Sequence, residues 1–367
     1  MASILVFIAG AALLIYSAEK LVGYLVGVAS GLRVSVFLLA IVFTGIEFDD
    51  IFLGSVLNLE DLDGVALGIV FGTALSLPGI VLALAAILKP IDINIPRNYV
   101  VIFAVAPLVM VVFTLMAPLN AVHGVILLGL FVLFLAYVAV RETRGEVPVF
   151  RDVEMQETFA AAQKARGGTS VLTEAKPGVN TPESDIGNGF SSEGKDQHFP
   201  EHALFVQARE FSSWAGIGLA VLALAGIIVG AAVTGIGIEG ILEAYGLEGT
   251  IFGATILTVV LTIEDIFLTV QPVRKGSPEI GIGNIIGSVV FSVTGKLGFI
   301  LLAGGLVVGP NVLSWHLPTL LALTWLAAYF LSTGRLKRGH GYTLLSLYIV
   351  YWVVSFVGFG TVPVEMD

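Results

Sequence analysis

The stretch Asp50-Ile51-Phe52-Leu53 returns without a gap as Asp265-Ile266-Phe267-Leu268, an offset of 215 residues (265 − 50). The same offset holds on both sides. Gly31-Leu32 meets Gly246-Leu247, Phe37 meets Phe252, Gly68 meets Gly283, Gly72 meets Gly287, and Thr73 meets Ser288. Each copy sits in an apolar run near the length a helix needs to cross about 30 Å of hydrocarbon. Chance similarity of apolar helices does not place an Asp and several Gly at one fixed spacing. The chain is a repeat of one apolar unit.

Composition sets the class. Of 367 residues, 56% are hydrophobic and 13% charged, the latter about half the roughly 25% of a soluble domain. Mean hydropathy is +0.96. A soluble fold cannot hide that much apolar surface. The chain has no Cys, so disulfides, thiolate metal sites and Cys nucleophiles are excluded. A net charge of −10 argues against a nucleic-acid partner. No Walker sequence is present, and Gly235-Ile236-Gly237 lies in an apolar run with no strand before it, so no nucleotide is expected.

Apolar runs fall at 3–26, 34–57, 64–88, 99–118, 121–140, 213–236, 249–271, 280–304, 313–333 and 341–360. None alternates as barrel strands do. The expected fold is an all-α polytopic membrane protein of about ten transmembrane helices, arranged as two inverted-topology five-helix repeats. Residues 1–140 form the first repeat, 141–210 an insert, and 211–367 the second. The insert holds 12 acidic and 8 basic residues, and no helical or strand period runs through Gly167–Pro200. It is expected to be a mostly disordered acidic loop.

Positive residues set the topology. With the N-terminus outside, the inner connections carry Lys20, Arg33, Lys89, Arg97, the insert, Arg274, Lys275, Arg335, Lys337 and Arg338. The outer ones carry acids such as Glu60, Asp61, Asp63, Glu239, Glu243 and Glu248. Both termini are therefore expected outside a cell membrane and the insert in the cytoplasm. Nothing basic precedes the first span and no cleavage site follows it, so it is expected to be an anchor, not a signal peptide. Five spans per repeat is an odd number, so the second copy must be inverted, a common secondary-transporter plan with its site at the repeat interface.

The second span contains Thr44-Gly45-Ile46-Glu47-Phe48-Asp49-Asp50-Ile51 and the seventh Leu261-Thr262-Ile263-Glu264-Asp265-Ile266. Each acid there costs about 2.5–3.5 kcal/mol even on a lenient insertion scale. Such acids face a cavity, a cation or each other. Glu47 and Asp50 are three apart and share a helix face, as do Thr262 and Asp265. Their neighbours Asp49 and Glu264 point about 100° away. Gly72-Thr73 on the third span and Gly287-Ser288 with Ser292 on the eighth add close packing and neutral oxygens. Oxygen donors without Cys or His suit hard cations such as Na⁺, Ca²⁺ or Mg²⁺.

Gly283-Asn284-Ile285-Ile286-Gly287-Ser288, with Gly276 upstream, resembles the α-repeat of the calcium/cation antiporter superfamily, which includes the sodium/calcium exchangers. In that family Gly-Thr/Ser-Ser-x-Pro-Glu is followed by Gly-Asn-x-x-Gly-Ser-Asn. The family Glu lies 23 residues before the Ser, as Asp50 lies before Thr73 (73 − 50 = 23) and Asp265 before Ser288 (288 − 265 = 23). The resemblance implies alternating-access cation exchange without a cofactor, with Asp50 and Asp265 as ligands of transported Ca²⁺ and Na⁺, or H⁺. Glu47, Thr73, Thr262, Ser288 and Ser292 complete the expected site. Asp49, Glu264, Asn284 and Lys296 are secondary candidates.

This sequence departs from the family pattern. Asp replaces Glu at both key positions, and Asp49 and Glu264 stand where Pro is expected, which predicts loss of a helix break. Gly-Asn becomes Gly68-Ile69 in the first repeat, and the distal Asn becomes Leu77 and Ser292. Lys296 is the one basic residue deep inside a span, Lys20 lying toward the inner end of the first. Its ammonium either pairs inward with an acid, standing in for a monovalent ion, or snorkels to the near interface. Inward pairing favours proton coupling.

Ca²⁺ exchange against Na⁺ is the leading expectation. A proton-coupled divalent or monovalent cation exchanger is the alternative. A passive cation channel and an intramembrane aspartyl protease remain, the latter without the Tyr-Asp and Gly-x-Gly-Asp contexts it requires. Inorganic cations and the lipid bilayer are the expected partners, and the sequence is silent on oligomeric state.

Overall fold

The computed structural model describes residues 2–29, 46–92, 95–142, 213–275, 278–309 and 311–360. Gly31, Leu32 and Phe37 of the repeat, the insert from 143 to 212, and Gly276 lie outside these. In chain order the elements are α1 (Ala2–Ala29), α2 (Phe48–Leu59), α3 (Asp63–Leu88), β1 (Ile91–Asp92), α4 (Arg97–Leu115), α5 (Ala121–Glu142) and α6 (Ser213–Tyr245). Then follow α7 (Gly249–Leu261), α8 (Ile263–Lys275), α9 (Pro278–Ala303), α10 (Val312–Ser332), β2 (Arg335–Leu336) and α11 (Arg338–Phe359). The strands β1 and β2 pair antiparallel, joining the connection between α3 and α4 to the one between α10 and α11.

The repeat offset is written into the backbone. Helices α2 and α8 begin 215 residues apart (263 − 48), and so do α3 and α9 (278 − 63). Both α3 and α9 contain one π-helical turn, Leu77–Val81 and Ser292–Lys296, again 215 apart (292 − 77).

Eight single helices among the described residues are long and apolar enough to cross a membrane, and α7 with α8 makes a ninth span bent by 47°. Helix α2 is the described part of the remaining expected span. Helices α3 and α9 are almost wholly buried at the centre, whereas α5 and α11 turn apolar side chains such as Leu133 (67% exposed) and Val357 (84% exposed) outward. A helix apolar on every side is suited to lipid.

Helices α1 and α6 are equivalent by repeat and pack along their length. Ser3 lies against Gly240, Phe7 against Gly237, Gly10 against Thr234, Leu14 against Gly230 and Ser17 against Gly226. One number rises as the other falls, so the two copies run antiparallel, as an inverted repeat requires. The contact is backbone to backbone. A Cβ at Gly10 would lie 2.5 Å from the Thr234 nitrogen, and one at Gly230 would lie 2.7 Å from the Leu14 nitrogen. Without a hydrophobic drive between helices in lipid, such close packing holds them together.

Helix α6 runs to Tyr245, well past the apolar run predicted to end at 236. Glu239 and Glu243 end the apolar pattern but are good helix formers. The stop comes at Gly246, whose φ of +61° a side chain would oppose, with Leu247 N–H donating to the Leu242 carbonyl at 3.2 Å in the usual glycine-terminated pattern.

The expected loss of the helix break is corrected. The seventh span bends at Thr262 although no Pro stands there. In the first repeat Glu47 precedes α2 with extended backbone (φ −83°, ψ 91°). Acids in the first turn favour a fresh helix N-terminus, and Asp49-Asp50 and Glu264-Asp265 occupy those first turns. Charge does here what Pro does in the family pattern.

Gly230→Leu should force α1 from α6 and destabilise the protein by about 1–3 kcal/mol or more. Gly129→Ala, with nothing within 4 Å of the added carbon, should leave the melting temperature unchanged. Thermal unfolding of the purified variants in detergent reads both.

Candidate functional site

The start of α2, the bend at Thr262, α3 and α9 meet at the centre of the molecule. Glu47 is the residue just before α2 and Asp50 sits in its first turn, so the helix start brings both carboxylates together. Lys296 ends the π-helical turn of α9 and is wholly buried. Its ammonium forms short ion pairs with Glu47 Oε2 and Asp50 Oδ2 and donates to Thr73 Oγ1 at 3.1 Å. Thr73 in turn donates to Asp50 Oδ2 at 3.2 Å. Of the two alternatives for Lys296, inward pairing is the one observed. Helix side chains lean toward their own N-terminus, which in α9 is the direction of Ser288 and the acids.

The second repeat is arranged differently. Asn284 Nδ2 donates to Asp265 Oδ1 at 3.4 Å and reaches Thr269 Oγ1 at 3.5 Å. Thr262, the equivalent of Glu47, shares a 2.8 Å hydrogen bond with Ser76, whose hydroxyl also lies 3.1 Å from the Thr73 carbonyl. Ser292 donates back to the Ser288 carbonyl at 2.8 Å, within its own helix. Asp49 is buried and Glu264 half-buried, and neither pairs with Lys296 among the described residues.

Three buried oxygens at this centre have no hydrogen-bond partner among the described residues: Glu47 Oε1, Asn284 Oδ1 and Ser288 Oγ. A buried polar atom without a partner is costly. All three are acceptor atoms that a hard cation would take. No group of three Asp, Glu or His side chains converges as a ready-made metal cage among the described residues.

Ser76 and Thr269 belong to this network and escape the sequence reading. Each lies on a face already singled out, Ser76 three residues after Thr73 and Thr269 four after Asp265. Asn58 is a further inter-repeat tie. Its amide donates to the carbonyls of Ile300 and Gly304 at 3.0 Å each, capping the end of α9 and fixing α2 to the helix that carries Lys296.

The sequence profile of the sodium/calcium exchanger protein family matches residues 2–140 and 215–357, nearly all of both repeats and none of the insert. The chain belongs to this family. The sodium/calcium exchanger MaX1 of Methanosarcina acetivorans is 31% identical over 115 residues, 31% of this chain and 33% of that one. CaxA of Alkalimonas amylolytica is 26% identical over 153 residues, 39% of this chain and 44% of that one. The chain thus matches less than half the length of these relatives. The fold is that of the sodium-calcium exchanger NCX_Mj, with a TM-score of 0.51 at 18% identity over 97% of this chain and 98% of that one. As an exchanger-family member, this chain is a multi-pass membrane protein of a transporter class, not an enzyme class.

The hydrogen bond between Ser76 and Thr262 joins the repeats at the site. Ser76→Ala and Thr262→Val in a double-mutant cycle should show a coupling of about 0.5–1.5 kcal/mol, read from thermal unfolding.

Proposed function

We propose that this protein is a secondary active cation antiporter that exchanges Ca²⁺ against Na⁺ by alternating access at the central carboxylates. Family membership supports cation antiport as the class, and supports Na⁺ as counter-ion over the H⁺ that the inward pairing of Lys296 by itself would favour. The observation that carries the site is the group of buried oxygens, unpartnered among the described residues, beside Asp50 at the start of α2 and Asp265 at the bend of the seventh span. Broken helices at a repeat interface are where secondary transporters bind ions. Asp265 and Ser288, with the free oxygens of Glu47 and Asn284, are the proposed ligands; Asp50 and Thr73 contribute through Lys296, and Thr262 through Ser76. Few carboxylates and several neutral oxygens suit exchangeable rather than permanent binding, because ligand charge count tunes affinity for Ca²⁺.

The mechanism is competition for charge. A site with uncompensated carboxylates crosses a dry barrier poorly. A divalent ion neutralises it in one half of the cycle and monovalent ions in the other, so the loaded forms change their exposure and the unloaded form does not. Both termini outside and the insert between the repeats in the cytoplasm follow from the placement of the basic residues.

Ca²⁺ uptake into proteoliposomes loaded with Na⁺, beside a matched set with a pH gradient alone, tests this. Uptake should require internal Na⁺. Uptake driven by the pH gradient alone would make the protein a proton-coupled exchanger, and uptake with no counter-ion would make it a channel. Asp50→Asn and Asp265→Asn should each reduce Na⁺-dependent uptake to background, with the folded state intact by thermal unfolding. Normal uptake by both would remove these residues from the site.

A further inference from the structure

Lys296 has the surroundings of a bound ion. Its ammonium is fully buried and meets three oxygens of the first repeat, from Glu47, Asp50 and Thr73. Two carboxylates and a hydroxyl are a hard-cation donor set, and here a cation tethered to α9 occupies it. The ammonium has three donors and finds three acceptors, so it is satisfied in place.

The repeat supplies an internal comparison. The position equivalent to Lys296 is Val81 (296 − 215 = 81), which lies in the matching π-helical turn of α3. No lysine reaches Asp265 from there. Among the described residues Asp265 accepts from the Asn284 amide at 3.4 Å, and the Asn284 and Ser288 oxygens left without partners there lie on its own repeat. One half of the site therefore carries its own cation, and the other half does not.

We propose that Lys296 is a resident cation of the transport site and sets the number of counter-ions carried per cycle. This rests on the exchange activity proposed above. The ammonium occupies the first-repeat half throughout the cycle. Transported ions bind on the second-repeat side, at Asp265, Asn284 and Ser288 with the free oxygen of Glu47. Of the five acids here, Glu47 and Asp50 meet the ammonium and Asp265 meets Asn284, whereas Asp49 and Glu264 meet neither among the described residues; the three that do, less one ammonium, leave two negative charges. One Ca²⁺ or two Na⁺ restores neutrality, so exchange is two for one and moves no net charge. With the lysine removed, three negative charges remain and a third Na⁺ is drawn in.

The test is the coupling ratio in proteoliposomes with the membrane potential clamped. At zero potential, native protein should accumulate Ca²⁺ to the square of the Na⁺ ratio, and a change of clamped potential should not alter that limit. K296Q should accumulate Ca²⁺ to the cube of the Na⁺ ratio, about tenfold more for a tenfold Na⁺ gradient, and should respond to potential. K296R, which keeps the charge, should match the native ratio. A cubed ratio in the native protein overturns the proposal whether or not K296Q folds, and so does an unchanged ratio in a folded K296Q. If native protein moves no Ca²⁺ against Na⁺, the exchange activity fails on its own. Equilibrium binding of radiolabelled Na⁺ in detergent then decides the role of Lys296. One additional Na⁺ bound per molecule in K296Q supports it, and equal binding overturns it.

Discussion

A charge buried in a membrane interior must be compensated within the protein, and the centre of this molecule is organised by that demand. Lys296 has no water to turn to, so it holds Glu47, Asp50 and Thr73 around it. Removing one member of a buried ion pair costs about 3–5 kcal/mol, more than most single contacts contribute. That energy ties α9 of one repeat to α2 of the other. The hydrogen bonds from Asn58 to the end of α9 act between the same two helices, so position and charge are fixed together.

The two repeats share a backbone and differ in chemistry. Helix starts and π-helical turns coincide at one offset, yet Glu47 corresponds to Thr262, Ser76 to Phe291, Ile69 to Asn284 and Val81 to Lys296. An inverted repeat with identical side chains would present the same centre from either side of the membrane. Here these differences remove that equivalence around Asp50 and Asp265. The Gly contacts between α1 and α6 keep the equivalent helices antiparallel and close, which a diverging repeat could not lose without losing the fold.

Most of the architecture was legible because apolar length and repeat spacing are local signals. Asp50 and Asp265 were legible for the same reason, as acids in apolar runs are costly enough to require a purpose. The helix breaks were not. Their usual marker, Pro, is absent, and the cause is electrostatic: acids placed where a new helix begins. The direction of Lys296 was within reach, since side chains lean toward the helix N-terminus and that bias points to the acids. Ser76 and Thr269 were hidden for a different reason. A hydroxyl in an apolar helix often bonds its own backbone, as Thr234 does with Gly230, and only the neighbouring helix reveals that these two do otherwise.

The paired π-helical turns have a consequence for how such a site is built. A π-helical turn holds one residue more than the α-helical turn it interrupts, and one residue advances the helix by about 100°. Everything beyond Val81 in α3, and beyond Lys296 in α9, is therefore rotated relative to an uninterrupted helix. The turn acts as a phase shift between the half of each helix that carries Thr73 or Ser288 and the half beyond it. The two halves are registered separately, so a residue of the first half can change without re-aiming the faces of the second. This is the freedom the second repeat has used at Lys296.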